Sequence, residues 1–189
     1  MPTYQQFIES VNNSDPVYLK NILKHLKLDS VANNNYAVRI SAELGYVDVM
    51  KELLQDSRVN PSITNNFAIR IAVSHKHYEI VKLLLNDSRV DPTADNNYAI
   101  RTAASNGDIK TFKLLIKDPR INPTASNNEP ILYAVWYEYY DILELLLKDK
   151  RVISSLTYDF VTANNLVKIL LHYFELKDEN ELKMYLNII

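Results

Sequence analysis

Apolar positions along this chain come in two alternating short bursts. In "VDVMKELLQD", Val47 to Asp56, the apolar side chains Val49, Met50, Leu53 and Leu54 recur at three- and four-residue spacing, which gathers them on one face of a helix. The preceding "YAVRISAEL" is apolar over about two turns. Gly45 separates the two bursts and suits a left-handed helix stop, as does Gly107 further on. Paired asparagines such as Asn65 and Asn66 stand before the first burst, where an amide oxygen can cap a free helical N–H. Pro61, Pro92 and Pro123 close the units. The pattern predicts pairs of short helices. Such a pair cannot bury its apolar faces alone, so neighbouring pairs must stack and share a core.

The unit repeats every 31 residues without a gap. "NNYAVRISAELGYVDVMKELLQDSRVNPSIT" (34–64) and "NNFAIRIAVSHKHYEIVKLLLNDSRVDPTAD" (65–95) share 13 of 31 positions. "NNYAIRTAASNGDIKTFKLLIKDPRINPTAS" (96–126) follows, and then a drifting copy, "NNEPILYAVWYEYYDILELLLKDKRVISSLT" (127–157). Residues 1–33 read as a worn N-terminal capping pair, Thr3 to Val11 and Pro16 to Leu28, with Asp15 as helix cap and Pro16 in the first helical position. Residues 158–189 read as two C-terminal capping helices. The expectation is a single all-α domain, 1–189, whose end units are atypical because one face meets water.

"YAIRTAASNGDIKTFKLLIKDPRINPTA" resembles an ankyrin repeat, whose first helix opens Thr-Pro-Leu-His-x-Ala. Tyr98 to Ala103 take that place, Gly107 matches the interhelix glycine, Leu114-Leu115-Ile116 the leucine triplet, and Arg120-Ile121-Asn122 the segment entering the hairpin. The resemblance spans residues 34–157 and implies an ankyrin-type solenoid of stacked helix-turn-helix repeats. Two departures stand out. Arginine replaces histidine at Arg39, Arg70 and Arg101, and each unit is two residues shorter than the 33 of the family. The hairpin is accordingly expected to be tighter, or a plain loop. The Asn-Asn-Tyr-Ala-Ile-Arg and Asp-x-Arg-Val-Asp-Pro wording looks like ankyrin arrays of giant viruses of amoebae, and similar arrays occur in intracellular bacteria and protists.

Columns that recur serve the scaffold; columns that differ are free for recognition. Asp56, Asp87, Asp118 and Asp149 each precede an arginine by two positions: Arg58, Arg89, Arg120 and Arg151. A carboxylate at a helix C-terminus meets the unfavourable end of the backbone dipole, so the arginine compensates it. Arg39, Arg70 and Arg101 either brace loops through carbonyl contacts or line the groove toward an acidic partner.

The pair of residues before the interhelix glycine is never the same in two copies: Glu43 and Leu44, Ser74 and His75, Ser105 and Asn106, Trp136 and Tyr137. The resemblance implies that they face the concave side and bind a partner, with loop residues Ile63, Thr64, Ala94, Asp95, Ala125 and Ser126 next in line. Trp136 and Tyr137 are good interface material; alternatively they tuck beneath the terminal helices. Tyr140 follows Val47, Tyr78 and Ile109 in a packing column, and Tyr133 stands at the edge of the groove.

Composition narrows the chemistry. There is no cysteine, hence no disulfide or thiolate site, and only two glycines, too few for a phosphate-binding loop. A net charge of −2 without a basic block argues against nucleic acid or an anionic membrane as partner. "MPTYQQFIESVNN" has no secretory character, and no apolar run reaches membrane-spanning length. His75 and His77 are too spread around a helix to chelate a metal and read as an exposed turn. Asp48, Glu79 and Asp141 sit where a helix N-terminus favours acids without any catalysis.

These readings lead to a cytoplasmic, monomeric, non-enzymatic module without cofactor or metal that binds another protein, a host protein if the origin is viral or an intracellular bacterium. The rival reading is a self-associating component of a larger assembly, which would use the rings near Trp136 and the apolar "MYLNII" terminus.

Overall fold

The computed structural model describes residues 4–15, 17–18, 21 and 31–188. Among these, every regular element is a helix, and of the two expectations for the connection between repeats, a tighter hairpin or a plain loop, the structure shows turns without strands. Four first helices, Val31–Leu44, Ile63–Ser74, Ala94–Ser105 and Ala125–Trp136, alternate with four second helices, Val47–Gln55, Tyr78–Leu85, Ile109–Leu115 and Tyr140–Leu147. First helices pack on first helices and second on second along the stack. Tyr4–Asn12 packs on Val31–Leu44. Asp15 caps the next segment as expected, its carboxylate accepting the Tyr18 N–H at 2.8 Å. Most of the predicted Pro16 to Leu28 helix lies outside the described residues.

Small side chains set the spacing. Ala68, Ala72, Ala99, Ala103 and Ala134 are buried in the first helices, which lets those backbones approach closely, while Met50, Leu84, Phe112 and Leu146 fill the space between the two helix layers. Each large side chain buried there stabilises by about 1.5–3 kcal/mol. Thr111 is the odd residue in a column otherwise made of Val49, Ile80 and Ile142; it is buried, and its hydroxyl has no hydrogen-bond partner.

Asparagine pairs do something other than cap. Thr64, Asn65 and Asn66 adopt left-handed φ values of 55°, 55° and 53° within Ile63–Ser74. Asp95 to Asn97 and Ser126 to Asn128 repeat this shape. Each triplet is closed by an N–H donated to a carbonyl four residues back, Asn66 to Ser62 and Asn97 to Thr93 among them. No side chain caps these helix starts. Asparagine tolerates the left-handed region better than other L-residues, and the second amide of each pair then reaches across the stack. Asn66 Oδ1 accepts the Asp91 N–H at 2.8 Å, Asn97 Oδ1 the Asn122 N–H at 2.8 Å, and Asn128 Oδ1 the Ser155 hydroxyl at 2.8 Å.

The interhelix turn is left-handed in all four copies: Gly45 at φ +73°, Lys76 at +59°, Gly107 at +63° and Glu138 at +57°. Glycine occurs where the next repeat brings a ring. A Cβ on Gly107 would sit 2.7 Å from the Tyr139 ring, and one on Gly45 would sit 2.8 Å from His77. Lys76 is tolerated because Asp108 holds the corresponding place in the following copy. His77 is therefore no exposed turn residue. It is half-buried, and its Nε2 lies 2.9 Å from the Glu43 carbonyl at the end of the preceding first helix.

After Thr157 there are three helices, one more than the sequence suggested: Tyr158–Ala163, Val167–Tyr173 and Glu179–Ile188. The last packs on the other two, with Leu182 buried and Tyr185 against Phe174 at 4.6 Å between ring centroids.

Candidate functional site

The recurring charged columns hold the stack together. Arg89 donates from Nε and one Nη to Asp87, then spends its remaining donors on the previous repeat, reaching the Val59 carbonyl at 2.7 Å and the Leu54 carbonyl at 2.9 Å. Arg120 reaches Val90 and Leu85 in the same way, at 3.0 and 3.1 Å. Arg151 reaches Ile121 and Ile116 at 2.8 and 3.4 Å. Leu54, Leu85 and Ile116 lie at the C-terminal ends of second helices, so each guanidinium supplies donors to a neighbour's orphan carbonyls. Hydrogen bonds from these arginines hold Asp87, Asp118 and Asp149 below the usual carboxylate range against the opposing effect of burial, as Arg58 does for Asp56.

Arg70 and Arg101 brace the left-handed turns. Arg70 donates to the carbonyls of Asn65 and Thr64 and pairs at 3.1 Å with Asp95 at the start of the next first helix, Ala94–Ser105. Arg101 does likewise with Asn96, Asp95 and Glu129, the last at 2.6 Å. Cation–π contacts continue the ladder: Arg39 stands 5.4 Å from the Phe67 ring centroid and Arg70 5.6 Å from that of Tyr98. In the fourth copy Glu129 takes the aromatic place. Arg70 and Arg101 are thus occupied by scaffold contacts, whereas Arg39 is exposed.

The eight variable positions lie at the C-terminal ends of the first helices, and the second and third copies are tied there: Asn106 donates to the Ser74 carbonyl at 3.5 Å, and Lys76 to the Asn106 carbonyl at 2.9 Å. They are not equally free. Ser74 and Ser105 are half-buried, with hydroxyls engaged by Arg70 and Thr102 carbonyls and, for Ser74, by the Tyr98 hydroxyl. Glu43 and Asn106 are also half-buried. Leu44, His75, Trp136 and Tyr137 are exposed. Of the loop residues, Ala94 and Ala125 are buried in the stack rather than presented at a tip, Asp95 is taken by Arg70, and Ser126 accepts from Asn96 at 2.6 Å. Ile63 is half-buried and Thr64 exposed.

Trp136 and Tyr137 are 59% and 54% exposed, so they do not tuck beneath the terminal helices. Half-buried Tyr133 supports both, edge-on to Trp136 at 6.0 Å and parallel to Tyr137 at 6.3 Å; Tyr139 meets Tyr137 at 5.8 Å. Tyr140 reverses its expectation. In this packing column Val47 and Ile109 press on the core and Tyr78 is covered by the Lys110 ammonium 4.0 Å above its ring, whereas Tyr140 is 64% exposed. Tyr139 and Tyr140 therefore belong with the aromatic end of the molecule. Their column positions alone do not reveal this, because exposure depends on what the next unit places beside them.

Among the described residues no cluster of histidine and acidic side chains is arranged to hold a metal. No helix there is long and apolar enough to cross a membrane.

The family profile of ankyrin repeats (three copies) matches residues 11–96 and 69–155. The crystal structure of EF0377, an ankyrin repeat protein, superposes with a TM-score of 0.64 at 23% identity, over 87% of this chain and 94% of that one. No curated protein matches the sequence significantly.

Proposed function

The chain belongs to the ankyrin repeat family, whose repeats are generally protein-interaction modules, and on that premise we propose that it binds a partner protein through the strip of variable first-helix ends, without catalysis. Trp136 and Tyr137 would anchor that contact, with Leu44 and His75 extending it and Glu43, Ser74, Ser105 and Asn106 shaping the surface between. One observation carries the reading. The recurring polar columns are consumed by links between repeats, while two large rings in a non-recurring column stand in solvent, propped by Tyr133. A rigid amphipathic aromatic pair loses little conformational entropy on docking. We further propose a cytoplasmic setting and, if the repeats come from a virus or an intracellular bacterium, a host protein as target.

Trp136→Ala with Tyr137→Ala tests this in a capture experiment from host extract read by mass spectrometry. The expected result is loss of the wild-type partner with the unfolding midpoint nearly unchanged. Undiminished capture would refute the assignment. Self-association is the second reading, favoured by the exposure of Trp136, Tyr137 and Tyr140 at one end of the molecule; in the C-terminal segment Met184 is exposed as well, while Tyr185 and Leu186 pack on the core. Sedimentation at high concentration separates the two: a monomer excludes the assembly.

A further inference from the structure

Along the stack each second helix is packed by its successor, Val47–Gln55 by Tyr78–Leu85 and so on to Tyr140–Leu147. There the regularity stops. The next left-handed turn after Glu138 comes at Asn165, short of the 31-residue step, and Val167–Tyr173 consequently makes only marginal contact with Tyr140–Leu147. A cleft of about 540 Å³ opens between them, lined by Tyr140, Leu143, Leu147, Ile169, His172 and Tyr173. Past Leu147 it continues into a second hollow of about 600 Å³, bounded by Ile153, Phe174 and Tyr185.

The lining is apolar and the rim is basic. Lys168 at the edge of the cleft and Lys150 at the edge of the second hollow are exposed with no carboxylate partner among the described residues, while Arg151 beside Lys150 is paired with Asp149. The single carboxylate in the lining, Glu144, is held by Lys148. The chain as a whole carries −2, so the two unpaired lysines here are a local feature. The flank left open is the one that accepts a helix in every other repeat.

We propose that this cleft docks an amphipathic helical segment of a partner protein that carries carboxylates beside its apolar stripe. The apolar stripe covers Tyr140, Leu143 and Ile169 in the manner of a following repeat, and the acids meet Lys168 and Lys150. The cleft adjoins the aromatic end through Tyr140 but shares no lining residue with the strip that carries Trp136 and Tyr137, and the proposal does not depend on that strip's function.

The test is a selection on the full chain from a displayed library of amphipathic helices about four turns long, with polar positions randomised, counter-selected against a Tyr140→Ala, Lys168→Glu double variant. Enriched peptides are expected to place Asp or Glu next to the apolar stripe and to bind Lys168→Glu about tenfold more weakly, as the loss of one rim charge pair allows. Exchanging the peptide acids for lysine should recover binding to Lys168→Glu. Four results would overturn the proposal: no peptide dependent on Tyr140 or Lys168, no acidic bias among binders, binding abolished by Trp136→Ala while indifferent to Tyr140→Ala, or a chain dimer that Tyr140→Ala dissolves. The last would make a second copy the occupant. Both substituted side chains are exposed, and the circular-dichroism melt of each variant should match the wild type.

Discussion

The central repeats, residues 65–126, and the last one, 127–157, are built from the same unit, but the last meets a terminal segment that is no copy of it, and the two regions differ in what they leave over. In the centre the polar columns close on themselves. Arg120 links Asp118 to two carbonyls of the previous repeat, Arg70 ties its own left-handed turn to Asp95, and Asn66 and Asn97 reach the loops that follow. At the final junction Glu129 has replaced the aromatic of the ladder, Leu132 the arginine, and rings have entered the variable columns. Repetition here marks groups committed to their neighbours; drift marks surface released from that duty.

The sharpest way to break the comparison is to remove a central link. Arg120→Ala leaves the Asp118 carboxylate, whose side chain is only 12% exposed, without its cation, and strips two carbonyls of donors. The expected loss is about 3 kcal/mol in urea unfolding. Lysine at this position should recover little of it, because an ammonium cannot serve three acceptors with a planar fork. Next in size is the interhelix column, where the two junctions should respond with opposite sign. Gly107→Ala puts a Cβ against Tyr139 at φ +63° and should cost about 2 kcal/mol, whereas exposed Glu138→Gly relieves a left-handed L-residue and should gain about 0.5 kcal/mol.

Acid should weaken the Asp–Arg ladder as a whole. Asp56, Asp87, Asp118 and Asp149 are held below their unfolded values by arginine hydrogen bonds. Their contribution is thus fully present above the unfolded carboxylate value near pH 4 and is lost as pH falls through the lower folded values. Thermal midpoints should hold down to about that pH and drop below it, and Asp87→Asn with Asp118→Asn should flatten the acid limb while lowering stability at neutral pH. A gain of similarly small size is expected at Thr111. Replacing it by Val, as its column suggests, removes a buried hydroxyl without partner and should stabilise by about 0.5–1 kcal/mol.

Much of the architecture could be read before any coordinates, because stacking imposes the same demand on each copy. The repeat, the left-handed Gly45 and Gly107 and the compensating role of Arg89 and Arg120 all follow from recurrence. What escaped is whatever depends on the neighbour rather than the copy. Asparagine suits a cap and a left-handed turn equally, and only the position of Asp91 beside Asn66 decides between them. Ala94 and Ala125 read as loop tips until the adjoining repeat buries them. Tyr140 occupies a packing column whose covering helix never arrives. The terminal region hid its third helix because it has no internal copy to be compared with.

The central claim is that committed and released columns can be told apart, and one paired measurement tests it directly. Unfolding free energies should be determined side by side for Arg120→Ala and for Trp136→Ala with Tyr137→Ala. The account predicts a loss of about 3 kcal/mol for the first and about 1 kcal/mol or less for the second. The reverse order would show that the rings at the end of the fourth repeat are part of the core and that the arginine ladder is ornamental.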